Sequence, residues 1–205
     1  EKRTFRQRQQ MPRKIQEIPS ARCDKIQLMT YFSLYKTPTS FSDLRLESDG
    51  SAITALLFMG SSDSSKADRE AIFNDRLAVF QELKGWLDRY FKGENPSPFS
   101  SFKMFPKTPF RKRVYDILLS IPYGETLTYG DIAKLLSKES DKKMSAQAVG
   151  GAIGSNPLCI LVPCHRVIGK DGKLIGYGGG LKNKELLLKL EKKDGKEKMQ
   201  VVSRP

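Results

Sequence analysis

One histidine, three cysteines and one tryptophan serve a chain of 205 residues. A lone His165 excludes metal centres built from several imidazoles. Three cysteines at irregular spacing do not form the paired framework of a small secreted fold, so a reducing, intracellular compartment is expected. No apolar run reaches the length of a membrane-spanning helix, and no apolar segment at the N-terminus reads as a secretory signal. The chain opens on Glu1 rather than Met, as a fragment edge would. Missing too are the lysine of a phosphate-binding P-loop and the spacing of a dinucleotide fingerprint in the glycine-rich run 176–180.

What is plentiful is positive charge. The formal net charge is +13, with 39% hydrophobic and 29% charged residues, the texture of a soluble globular protein. Residues 26–100 carry eight Lys/Arg against ten acids, whereas 101–181 carry twelve against six. Residues 1–25 and 182–205 are basic as well. A near-neutral first half before a basic second half points to a polyanionic partner, because Lys and Arg near phosphates release condensed counterions. Solvated, disordered tails are the plain alternative for the two ends.

Residues 1–25 lack a hydrophobic period and read as a disordered tail. Residues 26–34, 41–46 and 53–58 are short apolar or alternating runs separated by turn residues, which predicts an antiparallel meander. Residues 71–91 place Ile72, Leu77, Phe80, Leu83, Leu87 and Tyr90 at helical spacing. Four prolines in 95–109 mark a linker. Helices are then expected over 110–119, over 129–136 with Thr128 as cap, and over 146–153, with a charged loop at 138–143. The last pair forms a helix-turn-helix pattern. A further apolar helix is expected over 181–190. The expected organisation is therefore a basic tail (1–25), an N-terminal domain (26–95), a linker (96–109), a second domain (110–191) and a basic tail (192–205). Gly150 and Gly151 inside a helix cost roughly 1 kcal/mol each relative to alanine. Close approach to a DNA groove accounts for them, as would tight packing on a neighbouring helix.

The densest chemical signal is Ile160-Leu161-Val162-Pro163-Cys164-His165-Arg166-Val167, where the only histidine adjoins a cysteine. A free thiol is mostly protonated at neutral pH, and a neighbouring base raises its thiolate fraction. His165 is placed to be that base, directly or through one water, once a carboxylate orients it. A buried inert cysteine, a metal site and a thiol hydrolase are the competing readings. Tyr177, among glycines, suits a loop folded over a flat ligand. Glu185, near the start of the last helix, is the carboxylate taken to face His165, or else favours that helix N-terminus.

Pro163-Cys164-His165-Arg166-Val167, with Gly154-Ser155-Asn156-Pro157 before it, resembles the active-site signature of the O6-alkylguanine-DNA alkyltransferases. Phe110–Val114, Ile121-Pro122-Tyr123-Gly124, the run Thr128 to Ala133, the run Ala148 to Ala152 and the run Gly176 to Glu185 resemble family segments in the same order. The resemblance implies an α+β fold: a small mixed α/β N-terminal domain (antiparallel sheet plus helix) and a mainly helical C-terminal domain with a helix-turn-helix. It implies irreversible, single-turnover transfer of an alkyl group from guanine O6 in DNA to Cys164. His165 would act as base through water, Glu185 would orient it, and Asn156 would brace the turn presenting the cysteine. Tyr129 would press on the target phosphate or donate toward the guanine. Tyr177, the Gly178 amide and the carbonyls of Cys164 and Val167 would hold an extruded base. Ala146, Gln147, Gly150, Gly151, Tyr129 and Arg166 are the implied DNA contacts, in the minor groove. Gln147 stands where the family usually carries an intercalating arginine, and Lys142 and Lys143 are candidates to replace its charge. Residues 1–100 contain Cys23 and no histidine, so the structural zinc of some relatives is not expected. Further expectations are no cofactor, no metal, alkylated DNA as partner, no membrane and a monomer, nuclear in a eukaryote and cytoplasmic in a bacterium or archaeon. A non-catalytic module that flags alkyl lesions for other repair factors is the alternative, and the presence of Cys164 speaks against it.

Overall fold

A computed structural model describes residues 29–140 and 143–193. Lys142, the expected N-terminal tail (which includes Cys23) and all of the expected C-terminal tail beyond residue 193 lie outside the described residues.

The meander is present as strands β1 (Tyr31–Tyr35), β2 (Leu44–Ser48) and β3 (Ile53–Phe58), paired antiparallel, with a register shift between Glu47 and Ser48. A two-residue strand β4 (Ile72–Phe73) adds parallel to β1, giving the order β3-β2-β1-β4. Ile72 was expected to open the following helix, and the structure corrects this. The Ile72 amide donates to Thr30 O and the Asn74 amide to Phe32 O. The Asn74 side chain then accepts from the Arg76 amide, a local turn that competes with helix. Helix α1 (Ala78–Phe91) begins only afterwards, and its stripe Val79, Phe80, Leu83, Leu87 and Tyr90 is buried. That stripe joins Leu44, Leu46, Leu56 and Phe58 of the sheet in one core.

The other half is helical: α2 (Pro109–Ser120), α3 (Tyr129–Ser140), α4 (Ala146–Gly154) and α5 (Leu181–Lys193), with short parallel strands β5 (Leu127–Thr128) and β6 (Val167–Ile168). Thr108 and Ser145 cap α2 and α4 through their side-chain oxygens. Thr128 caps α3 reciprocally: its hydroxyl accepts from the Asp131 amide, and Asp131 accepts from the Thr128 amide. α3 runs on through 138–140, which had been expected as loop, and α5 runs on past Leu190 to Lys193. No helix among the described residues is long and apolar enough to cross a membrane.

The edge of β3 is where the halves meet. Ile53 N donates to Ser101 O and Lys103 N returns to Ile53 O. Leu56 N donates to Pro157 O and Cys159 N returns to Leu56 O. A bare sheet edge is a liability, and here it is covered by two segments of the same chain. The proline-rich stretch is therefore pinned at residues 101–103. The strand also becomes a rigid back for the segment that leads into Cys164.

Candidate active site

From Pro157 to Arg166 the chain makes two tight reversals. Leu161 N bonds Cys159 O at 2.7 Å around Ile160, whose φ is 65°. Positive φ is strained for a β-branched residue, and such strain persists only where the surroundings over-determine it. Cys164 N bonds Val162 O at 2.7 Å around Pro163. Asn156 fills the inside of both turns. Its amide nitrogen donates to Val162 O at 3.0 Å and to Cys164 Sγ at 3.1 Å, while its oxygen accepts from Leu158 N at 2.9 Å. The thiol is thus aimed by a buried amide, with 6% of Cys164 left exposed.

That placement controls the thiol's chemistry. Burial pushes Cys164 up to about 11, against the Asn156 hydrogen bond, which lowers it. Left alone the sulfur is protonated, so a base is needed. His165 is fully buried, and burial holds its pKa below the usual value against the raising influence of Glu191. A neutral imidazole accepts a proton.

Glu191 orients that imidazole, and Glu185 does not. His165 Nε2 lies 2.8 Å from Glu191 Oε1. Glu185 is exposed and pairs with Lys189 on the surface of α5. The correction follows from helical geometry: Asn183, Lys184, Leu187 and Glu191 form the buried face of α5, and position 185 falls on the opposite side. Five donors converge on Glu191, including Tyr90 Oη at 2.7 Å, Arg166 Nε and Nη2 at 2.9 Å each and the Gly124 amide at 3.2 Å. Burial opposes the charge, yet His165 and Arg166 outweigh it and hold the carboxyl well below its usual range. With His165 neutral, the Arg166 guanidinium supplies the balancing charge. Arg166 was expected to touch DNA; the structure turns it inward, its side chain 12% exposed and also bonded to Ile121 O.

The glycine run is held next to this site by two side chains. Tyr129 Oη lies within hydrogen-bond reach of the carbonyls of Ile175 and Gly176, so this residue braces the loop from α3. Lys184 is fully buried and donates to Val167 O and Ile175 O, holding the loop from α5; burial lowers its pKa to about 8. The Val167 carbonyl expected to meet a base therefore already has one donor, as does Cys164 O, which accepts from the Val167 amide. A Cβ on Gly178 would come within 1.9 Å of Asp63 Oδ1, and one on Gly179 within 2.6 Å of Phe58 and Tyr177, so both positions require glycine. Two buried side-chain atoms among the described residues lack a protein partner, His165 Nδ1 and Tyr177 Oη. Buried polar groups are nearly always paired, so both atoms are open to a water or a ligand. Among the described residues no cluster of three or more His, Cys, Asp or Glu is arranged to hold a metal ion.

On α4, Ala146, Gln147, Ala148, Gly151 and Gly154 are exposed. A Cβ on Gly151 would meet nothing within 4 Å, and one on Gly150 only the Tyr129 ring at 3.8 Å. Internal packing therefore requires glycine at neither position. What they provide is a smooth outer face. Lys143 is exposed just before this helix.

Glu191, Lys184 and the Ser62–Lys66 turn escaped the sequence reading, which placed Tyr90 only on the apolar stripe of the first helix. Only Glu191 and Lys184 left a signal, the i, i+1, i+4, i+8 face Asn183, Lys184, Leu187 and Glu191 of α5, in which polar and charged residues hide the period.

Both halves of the chain resemble known proteins. Residues 109–193 match the DNA binding domain of 6-O-methylguanine DNA methyltransferase, and residues 30–104 match the ribonuclease-like domain of the same family. A methylated-DNA–protein-cysteine methyltransferase of Haemophilus influenzae is 39% identical over 163 residues, covering 79% of this chain and 86% of the relative. One of Mycobacterium leprae is 50% identical over 114 residues, 56% of this chain and 66% of the relative. The Mycobacterium tuberculosis enzyme solved in complex with DNA superposes with a TM-score of 0.65 at 36% identity, covering 80% of this chain and 93% of that one. With both halves matched in order and the cysteine, histidine and asparagine gathered in one buried site, the chain belongs to the methylated-DNA–protein-cysteine methyltransferase family.

Proposed function

We propose that this protein repairs alkylated DNA by direct reversal, moving the alkyl group from guanine O6 to Cys164 Sγ. The observation that carries the reading is the buried Asn156–Cys164 contact beside a neutral His165 that Glu191 orients. The sulfur is aimed but protonated, and an imidazole nitrogen without a protein partner belongs to the adjacent residue. The thiol proton passes through a water to His165 Nδ1. The thiolate attacks the alkyl carbon in line, the S–C bond forms as the C–O6 bond breaks, and the electron pair leaves with guanine. Guanine takes up one proton from water as it departs, and His165 returns the thiol's proton to water, so the imidazole ends neutral. A thioether is not readily reversed, so each molecule acts once and needs no cofactor.

The alkyl carbon is unreachable inside a duplex, so the nucleotide must leave the stack. The small face of α4 lies in the minor groove and Gln147 fills the gap left behind. Tyr177 and the Gly178 amide receive the base, and Tyr129 stands at the mouth of the pocket. The chain acts as a monomer inside the cell, with the domains at 26–95 and 110–191.

Incubation with an oligonucleotide carrying labelled O6-methylguanine tests this. Label is expected on the peptide containing Cys164, one per molecule, and none on Cys164→Ala. Repeated turnover on an ester or amide would instead identify a thiol hydrolase. Tight lesion binding without label transfer would identify a module that flags damage.

A further inference from the structure

Two segments around Cys164, the Asn156 turn and the glycine run, are held from the other half of the chain. A single 3-10 turn, Ser62–Lys66, follows β3 and touches both of them. On one side the Asp63 amide and the Ser62 hydroxyl donate to Gly178 O at 3.1 and 2.9 Å. On the other, Lys66 Nζ donates to Asn156 O at 2.9 Å. Asn156 is the residue whose side chain holds Cys164 Sγ. Lys66 also pairs with Asp63 at 2.5 Å, and the Asp63 side chain is only 6% exposed. A buried carboxylate, matched by one lysine, therefore lies near enough to act electrostatically on the reacting thiol.

The charged and titratable groups that act on Cys164 can be named. Asp63 opposes its ionisation, while Lys66 from the same turn and Lys184 from α5 favour it. Tyr115 of α2, Tyr129 of α3, Tyr177 of the glycine run and Cys159 each feel its charge, and His165 adjoins it in the chain. Of these, Asp63 and Lys66 belong to the N-terminal half of the chain.

We propose that Lys66 is a positioning residue for alkyl transfer: it anchors the Asn156 turn and neutralises Asp63, so that Cys164 faces a neutral pair instead of a bare carboxylate. The proposal rests on Cys164 being the acceptor, and its test avoids DNA so that the two ideas fail separately. The probe is iodoacetamide, with modification at Cys164 followed by peptide mass spectrometry across a pH series. A charge near a thiol moves its pKa by about one unit or more, equivalent to tenfold in thiolate at fixed pH. Lys66→Met is expected to slow modification about tenfold and displace the pH profile upward. Lys66→Arg should keep the wild-type profile. Asp63→Asn combined with Lys66→Met should restore most of the rate, because the carboxylate is gone. If Lys66→Met does not fold, Asp63→Asn alone decides, since it leaves Lys66 unmatched and should move the profile downward. A merely structural ion pair would lower the melting temperature of Lys66→Met and leave the profile in place. That result, a double variant no faster than the single one, or an Asp63→Asn profile that does not move, overturns the proposal.

Discussion

The sheet half and the helical half divide the labour unequally. The helical half carries the sulfur, the imidazole, the glutamate and the small-faced helix. The sheet half carries none of the reacting atoms, yet it supplies the backbone ladder under 157–159, the Lys66 contact to Asn156, the Ser62–Asp63 clasp on Gly178 and the Tyr90 hydroxyl on Glu191. One half holds the chemistry and the other fixes its geometry. A base and a thiol displaced by about 1 Å lose much of their advantage, so rigidity from the second half is a catalytic asset.

The largest expected break lies inside the helical half. Glu191→Gln should lower the single-turnover rate constant about 100-fold, on the scale of general-base catalysis, whereas Glu185→Gln should leave it unchanged. Equal effects of the two would return the orienting role to the surface residue. Next comes the link across the halves. Tyr90→Phe keeps the ring in the core but takes one donor from the carboxylate. It should cost about 1–2 kcal/mol in urea unfolding and slow transfer less than tenfold. A rate loss as large as that of Glu191→Gln would move the hydroxyl into the reaction itself.

pH sharpens the same contrast. Burial holds His165 below its ordinary 6.5, so the base stays neutral where a free histidine is already half charged. The transfer rate should form a plateau that continues below pH 6.5 and falls only in more acid solution. Stability carries the same sign. The group's contribution is complete above the unfolded-state value and is lost as pH falls through the lower folded-state one. A rate that halves near 6.5 would mean a solvated imidazole.

The smallest effects belong to the outer face of α4. Gly151→Ala should stabilise the fold by roughly 1 kcal/mol, because nothing blocks the new methyl and helix propensity improves. The same methyl should weaken duplex binding by intruding on the groove. Gln147→Arg should strengthen duplex binding and steepen its salt dependence by about one unit of log–log slope, measured by titration at several salt concentrations. Unchanged affinity and slope would remove Gln147 from the interface.

How much of this the sequence disclosed follows the same division. Cys164, His165 and Asn156 lie within ten residues of one another, so local pattern was enough to gather them. The capped helices α2, α3 and α4 start within one residue of where their caps and apolar periods place them. Glu191 was missed because the buried stripe of α5 includes a lysine and a glutamate, which a hydrophobic period cannot register. The start of α1 was misplaced because Ile72 fits a helical spacing that hydrogen bonds to β1 override. Lys66 and Tyr90 were out of reach altogether. Their roles exist only where two distant stretches of chain meet, about 90 and 100 residues apart in sequence.

Intact-mass spectrometry after incubation with an O6-methylguanine oligonucleotide tests the central claim most directly. The account predicts a complete, single gain of one methylene mass, mapped to Cys164 and absent from Cys164→Ala. A chain whose mass stays unchanged while it binds the lesion, or whose added mass maps to Cys159, would contradict it.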